Sequence, residues 1–126
     1  MPYLTREAID AGTWHRSSPD PQDGASVEFL GTVRAVEADR PIEALEYEAY
    51  ERMAEAVISR LIDEAKQLWP LQRVQVRHRL GRIPAGEVAL LVGVRAFHRE
   101  EAFSACRFLI GRIKEEAPIW KKEGAR

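Results

Sequence analysis

The stretch EVALLVGVRA, residues 87–96, constrains the fold of this chain more than any other. Read as a strand, its two faces are Val88-Leu90-Val92-Val94 and Ala89-Leu91-Gly93, and both are apolar. A strand with one wet face alternates apolar with polar residues, so apolar side chains on both faces need cover on both. The segment reads as a central, buried strand around which the rest of the chain must be arranged.

The neighbouring patterns supply the cover. Val74, Val76, His78 and Leu80 alternate, which predicts a strand over 73–80, with GRIPAG (81–86) as a connection. Residues 25–36 predict a strand with Val27, Phe29, Gly31 and Val33 on one face. Residues 42–50 predict another, with Leu45, Tyr47 and Ala49 alternating against Glu46, Glu48 and Tyr50. A turn at 38–41 between them predicts a hairpin.

Met53, Ala54, Val57, Ile58, Leu61, Ile62, Ala65 and Leu68 recur at helical spacing over 52–68, and Pro70 stops that helix. A second helix is expected over 99–116, with Ala102, Phe103, Cys106, Leu109, Ile110 and Ile113 as its inner stripe and Pro118 after its end. A short helix is expected over 5–11 with Thr5 as N-cap, followed by a loop over 15–24. There is no internal repeat, low-complexity tract or linker, so 1–126 reads as one domain. The order β-β-α-β-β-α predicts an α+β fold, with helices on one face of a mainly antiparallel sheet.

Composition narrows the function. A net charge of -1 argues against broad electrostatic binding to nucleic acid or membrane, which needs a basic face. The one cysteine, Cys106, excludes an intrachain disulfide and makes a reducing, cytoplasmic compartment the default. No apolar run reaches the roughly 18 residues of a membrane helix. The N-terminal MPYLTREAIDAG has acids and no apolar centre, so no secretory signal is expected there. His15 and His78 lack metal-ligand spacing, and no metal site is expected.

Against that balance, six potential cations bracket the last helix and the turn after it: His98, Arg99, Arg112, Lys114, Lys121 and Lys122. Such clustering is not forced by composition and points to a pocket for something small and anionic. Each residue also has an ordinary reading. Lys114, in the last turn of a helix, complements the macrodipole. Lys121 and Lys122 read as solvated surface, His98 as a cap or surface histidine, and Arg34 as a strand-end arginine. Cys106 lies on the apolar stripe and reads as a buried structural thiol. Trp120 reads as an anchor for the segment that carries Lys121.

The stretches FLGTVR (29–34), LEYEAYERMAE (45–55), WPLQRVQVRHRLGRIPAGEVALLVGVRAFHREEAF (69–103) and APIWKKE (117–123) resemble the large, catalytic subunit family of molybdopterin synthase. GTVR alone is weak. HRLGRIPAGE followed by HREEAF and PIWKKE, in this order and spacing, is specific.

The resemblance implies an α/β-hammerhead fold and a homodimer within a heterotetramer. Each protomer would bind a small ubiquitin-like sulfur carrier whose C-terminal Gly-Gly ends in a thiocarboxylate. The implied activity is that of a sulfurtransferase, inserting two sulfurs into cyclic pyranopterin monophosphate to make the molybdopterin dithiolene of the molybdenum cofactor. No permanently bound cofactor is implied. The family's substrate-binding positions fall on Thr32, Val33, Arg34, His98, Arg99, Lys114, Lys121, Lys122 and Glu123, with Lys114 and Lys121 catalytic. Arg34, His98, Arg99, Lys114 and Lys121 are expected to converge on one anion site, within a protomer or across a dimer. The chain departs from the family in its short loop AVEADRP (35–41) and in stopping at Arg126, so contacts from a longer loop or tail are not carried over.

The implied chemistry needs cations. A thiocarboxylate must approach a substrate that carries a phosphate. Arginine meets phosphate with paired hydrogen bonds, and lysine is a mobile point charge able to stabilise a departing oxygen. Two rivals stand beside this reading: a non-catalytic α+β module that docks a ubiquitin-like partner, and a persulfide enzyme based on Cys106.

Overall fold

The computed structural model describes residues 1–17 and 20–122. The elements run β1 (Leu4–Thr5), α1 (Gly12–Arg16), β2 (Ala25–Thr32), β3 (Val36–Glu37), β4 (Arg40–Pro41), β5 (Ala44–Ala49), α2 (Glu51–Leu68), β6 (Leu71–Arg79), β7 (Gly81–Pro84), β8 (Val88–Ala96), α3 (Arg99–Glu116) and β9 (Ile119–Lys122). They form a four-stranded sheet in the order β1-β6-β8-β2, a three-stranded sheet β7-β5-β9, and the small ladder β3-β4. All ladders are antiparallel except β1 with β6. No helix among the described residues is long and apolar enough to cross a membrane.

β8 is central, and every residue in it is buried. On one face, Leu90, Val92, Val94 and Ala96 join a core built with Ala54, Ile58, Leu61 and Ala65 of α2 and Ala102, Ala105, Leu109 and Ile113 of α3. Each fully buried leucine or isoleucine contributes roughly 1.5–3 kcal/mol. On the other face α1 lays Trp14 across Gly93, where an added Cβ would sit 2.5 Å from the ring. Only glycine lets the indole approach that closely. Buried Arg95 stacks over the same ring at 4.6 Å and donates to the Trp14 and Ser17 carbonyls at 3.1 and 3.0 Å. Two long helices therefore cover one face, but the expectation of all helices on one face is wrong for α1.

Other expectations are also corrected. The segment 5–11 is not a helix capped by Thr5. Leu4–Thr5 is a strand beside β6, held by Leu80 N–H to the Thr5 carbonyl at 2.8 Å and by the Glu55 carboxylate, which accepts from Leu4 N–H at 2.7 Å. The helix comes later, at Gly12–Arg16, and takes His15 out of the expected loop. Tertiary pairing overrides the local capping signal.

The expected hairpin of 25–36 with 42–50 does not form. β2 pairs with β8, while β5 leaves for β7 and β9. The break falls at Val33, whose N–H donates to the Glu87 carbonyl at 3.0 Å and whose side chain packs with Ile83 and Ala89 in a second, smaller core. The only hairpin there is β3-β4. Its two turn residues, Ala38 and Asp39, have φ of 50° and 63°, the left-handed pair that matches strand twist in a two-residue turn. GRIPAG is not a plain connection, because Gly81–Pro84 pairs with β5.

The helical stripes are narrower than expected. Met53 sits about 100° around the axis from Ala54, and Met53, Leu68 and Phe103 are exposed. β9, not anticipated at all, is created by its pairing with β5.

Candidate active site

The two sheets and the end of α3 enclose a cleft of ≈ 540 Å³ that opens to solvent. Each cation in it is placed by local structure. Val33 is buried in the small core, so alternation along the chain turns Arg34 outward. Lys114 lies in the last turn of α3. The helix then stops: Ala117 adopts extended geometry, its N–H donates to the Ile113 carbonyl at 3.0 Å, and Pro118 leads into β9. β9 runs antiparallel to β5 with Lys121 opposite Tyr47 and Lys122 opposite Glu46. Tyr47 and Lys121 therefore share the face toward the cleft.

Thr32, Arg34, Lys114 and Lys121 all line this cleft. Val33 contributes its backbone to the framework, but its side chain lies in the small core. Lys122, one position further along β9 and opposite Glu46, does not line it. Glu123 lies outside the described residues.

His98 and Arg99 are not brought there within one protomer. They sit at the other end of the 18-residue α3, about 22 Å along the axis from Lys114 at 1.5 Å per residue. They line a separate, shallow depression with Gly24 and Glu101. His98 there lies 3.5 Å from the Glu101 carboxylate. Convergence of all five cations within a single chain is thus ruled out.

Three residues of the cleft carried no functional expectation. Glu37, on the hairpin, is held between Arg34 and Lys121, each at 3.2 Å from a carboxylate oxygen. Lys121 first, and Arg34 second, lower its pKa below the usual carboxylate value. Among the described residues Lys114 has no such counter-ion. Tyr47 has its pKa raised chiefly by burial.

His78 is 7% exposed and borders the cleft. Its ring meets Tyr47 edge-on at a centroid distance of 5.1 Å. Burial lowers its pKa, which favours the neutral imidazole. The sequence signals were thin: a histidine on an otherwise apolar strand face, and an acid three residues after an arginine.

The fold and site define a small mixed α/β protein with a cation-lined cleft suited to an anionic ligand. The family model described as MoaE protein matches residues 4–116. The chain is 42% identical over 110 residues to the molybdopterin synthase catalytic subunit of Nostoc, covering 86% of this chain and 67% of that one. It is 45% identical over 103 residues to that of Thermoplasma volcanium, covering 82% and 75%. For the Arabidopsis thaliana subunit the identity is 41% over 103 residues, and this chain spans only 52% of its length. The crystal structure of molybdopterin synthase from Staphylococcus aureus superposes with a TM-score of 0.89 at 35% identity, covering 98% of this chain and 90% of that one. The chain belongs to the MoaE family, which includes the molybdopterin synthase catalytic subunits.

Proposed function

We propose that this chain is the catalytic subunit of a molybdopterin synthase and acts as a sulfurtransferase. It takes sulfur from the C-terminal thiocarboxylate of a small ubiquitin-like carrier and delivers it to cyclic pyranopterin monophosphate. The observation that carries this reading is the meeting of Arg34, Lys114 and Lys121 in one cleft, reached from the β2–β3 connection, the last turn of α3 and β9. Fixed cations overcome the repulsion between a thiocarboxylate and a phosphate-bearing substrate. In this reading Arg34 and Lys121 hold the substrate's anionic group, exchanging Glu37 for it. Lys114, with no counter-ion among the described residues, stabilises the oxygen that departs as sulfur attacks. The carrier brings the sulfur, so no enzyme thiol takes part.

His98 and Arg99 enter the same site from a second copy of the chain, which makes the working unit a homodimer with one carrier per protomer. The chain needs no permanently bound cofactor for these steps. Mixing the protein with a thiocarboxylated carrier and the pyranopterin, and assaying the dithiolene product, tests the reading. Product above a no-enzyme control is expected, and its absence with a competent carrier would remove the proposal.

A further inference from the structure

We infer that His78 is a catalytic base of the cleft, accepting the proton of the water that releases the carrier after each sulfur transfer. The inference rests on the sulfurtransferase reading and adds a residue and a step to it.

The geometry fixes the tautomer. His78 Nδ1 lies 2.9 Å from the Arg79 carbonyl oxygen. A carbonyl can only accept, so Nδ1 carries the proton and Nε2 keeps its lone pair. Nε2 has no protein partner among the described residues, and it is not among the buried polar atoms left unsatisfied. It therefore opens on the cleft that the ring lines. Tyr47 packed against the ring and the main-chain anchor leave the imidazole little freedom. Arg34, Lys114 and Lys121 border the same cleft, and burial opposes protonation of the ring. His78 is thus a lone-pair acceptor in a cleft whose other polar groups include three cationic donors.

The chemistry has a place for one. Attack of the thiocarboxylate sulfur on the substrate carbon forms a C–S bond, expels the oxygen substituent and leaves a thioester joining carrier to substrate. Water must then attack the thioester carbonyl. A water proton passes to His78 Nε2, and the oxygen bonds to the carbonyl carbon. The acyl C–S bond breaks with its electron pair on sulfur, and the imidazolium returns the proton to that sulfur. The products are the carrier carboxylic acid, which ionises to solvent, and the substrate thiol. Water is the only co-reactant.

The test is a quenched single turnover of enzyme, thiocarboxylated carrier and cyclic pyranopterin monophosphate, followed by intact-mass spectrometry of the carrier. In His78→Gln, and separately in His78→Asn, the carrier–substrate thioester should form at the wild-type rate and then persist. Its hydrolysis should be slower by roughly a hundredfold, the low end of what a positioned base contributes. Hydrolysis at the wild-type rate in either variant would overturn the inference. Failure of both variants to form the adduct would also overturn it, since it would make His78 a structural residue. If the wild-type protein itself forms neither adduct nor product, it is the sulfurtransferase reading that fails.

Discussion

The two ends of α3 carry similar chemistry in different surroundings. At its C-terminal end, Lys114 faces a cleft walled by β5, β9 and the β3-β4 hairpin, and two more cations arrive there from other parts of the chain. At its N-terminal end, His98 and Arg99 stand in an open depression beside Glu100 and Glu101. Both ends have the sequence look of an anion site. Their company separates them: three cations share one acid, Glu37, at the C-terminal cleft and leave an excess of positive charge, whereas the two at the N-terminal end stand beside two acids of their own. The N-terminal end becomes a site only if a second surface covers it.

The strongest test of this contrast is Lys114→Ala. The fold should stay intact, because Lys114 is exposed and alanine is a good helix former. Dithiolene production should fall by roughly a hundredfold or more, the effect of losing one preorganised charge. Thermal melts beside the product assay check both halves. A folded, fully active variant would show that the C-terminal end of α3 is not where the chemistry happens.

The second test asks whether the N-terminal end completes the C-terminal end of a partner. Arg99→Ala should lower turnover by itself. Mixing it with Lys114→Ala and allowing subunit exchange should restore about a quarter of wild-type sites, because half the dimers are mixed and each has one intact site of two in a two-fold assembly. No recovery on mixing would mean that His98 and Arg99 do not act across a dimer.

The same contrast explains what could be read from sequence. β8 and both long helices were legible because their patterns are local: an apolar run between turns, and a 3.6-residue stripe with proline stops. Cys106 was legible for the same reason, and its thiol is buried. β9 was not, because IWKK has no pattern of its own and is a strand only through its register with β5. The failed hairpin has the same origin: Val33 belongs to a second core that nothing near it in sequence announces. In the site, the lysines came from motif spacing. Glu37 and His78 did not, since their placement depends on how two sheets meet. His98 and Arg99 were named by motif, but a motif carries no distance, and α3 holds them far from the cleft.

A smaller effect is expected at Glu37. Its carboxylate occupies the cations that an incoming anion needs. Glu37→Gln keeps the shape and removes the competing charge. Inorganic phosphate, titrated calorimetrically at low salt, should bind about two- to fivefold more tightly than to wild type, the range expected for an exposed pair. The gain should shrink as ionic strength rises. Weaker phosphate binding would mean that Glu37 positions Arg34 and Lys121 more than it competes with their ligand.

The least change in turnover is expected at Cys106, and that result separates sulfur transfer from the carrier from a persulfide on the enzyme. The thiol faces the core beside Val92, whose carbonyl lies 3.8 Å from Sγ. Burial pushes its pKa up to about 11, so thiolate, the nucleophilic form, is scarce at neutral pH. A small thiol reagent should leave the native protein unmodified while labelling it fully in denaturant. Cys106→Ala should leave a small cavity and cost about 1 kcal/mol of stability, seen as a lower denaturation midpoint with an unchanged slope. Turnover should stay near wild type. A folded Cys106→Ala protein without sulfur transfer, together with an active Lys114→Ala protein, would move the chemistry from the cleft to the core face of α3. The geometry favours the reverse: the cleft is open to two anionic reactants and lined by cations, whereas the thiol lies against the buried face of β8 in its un-ionised form.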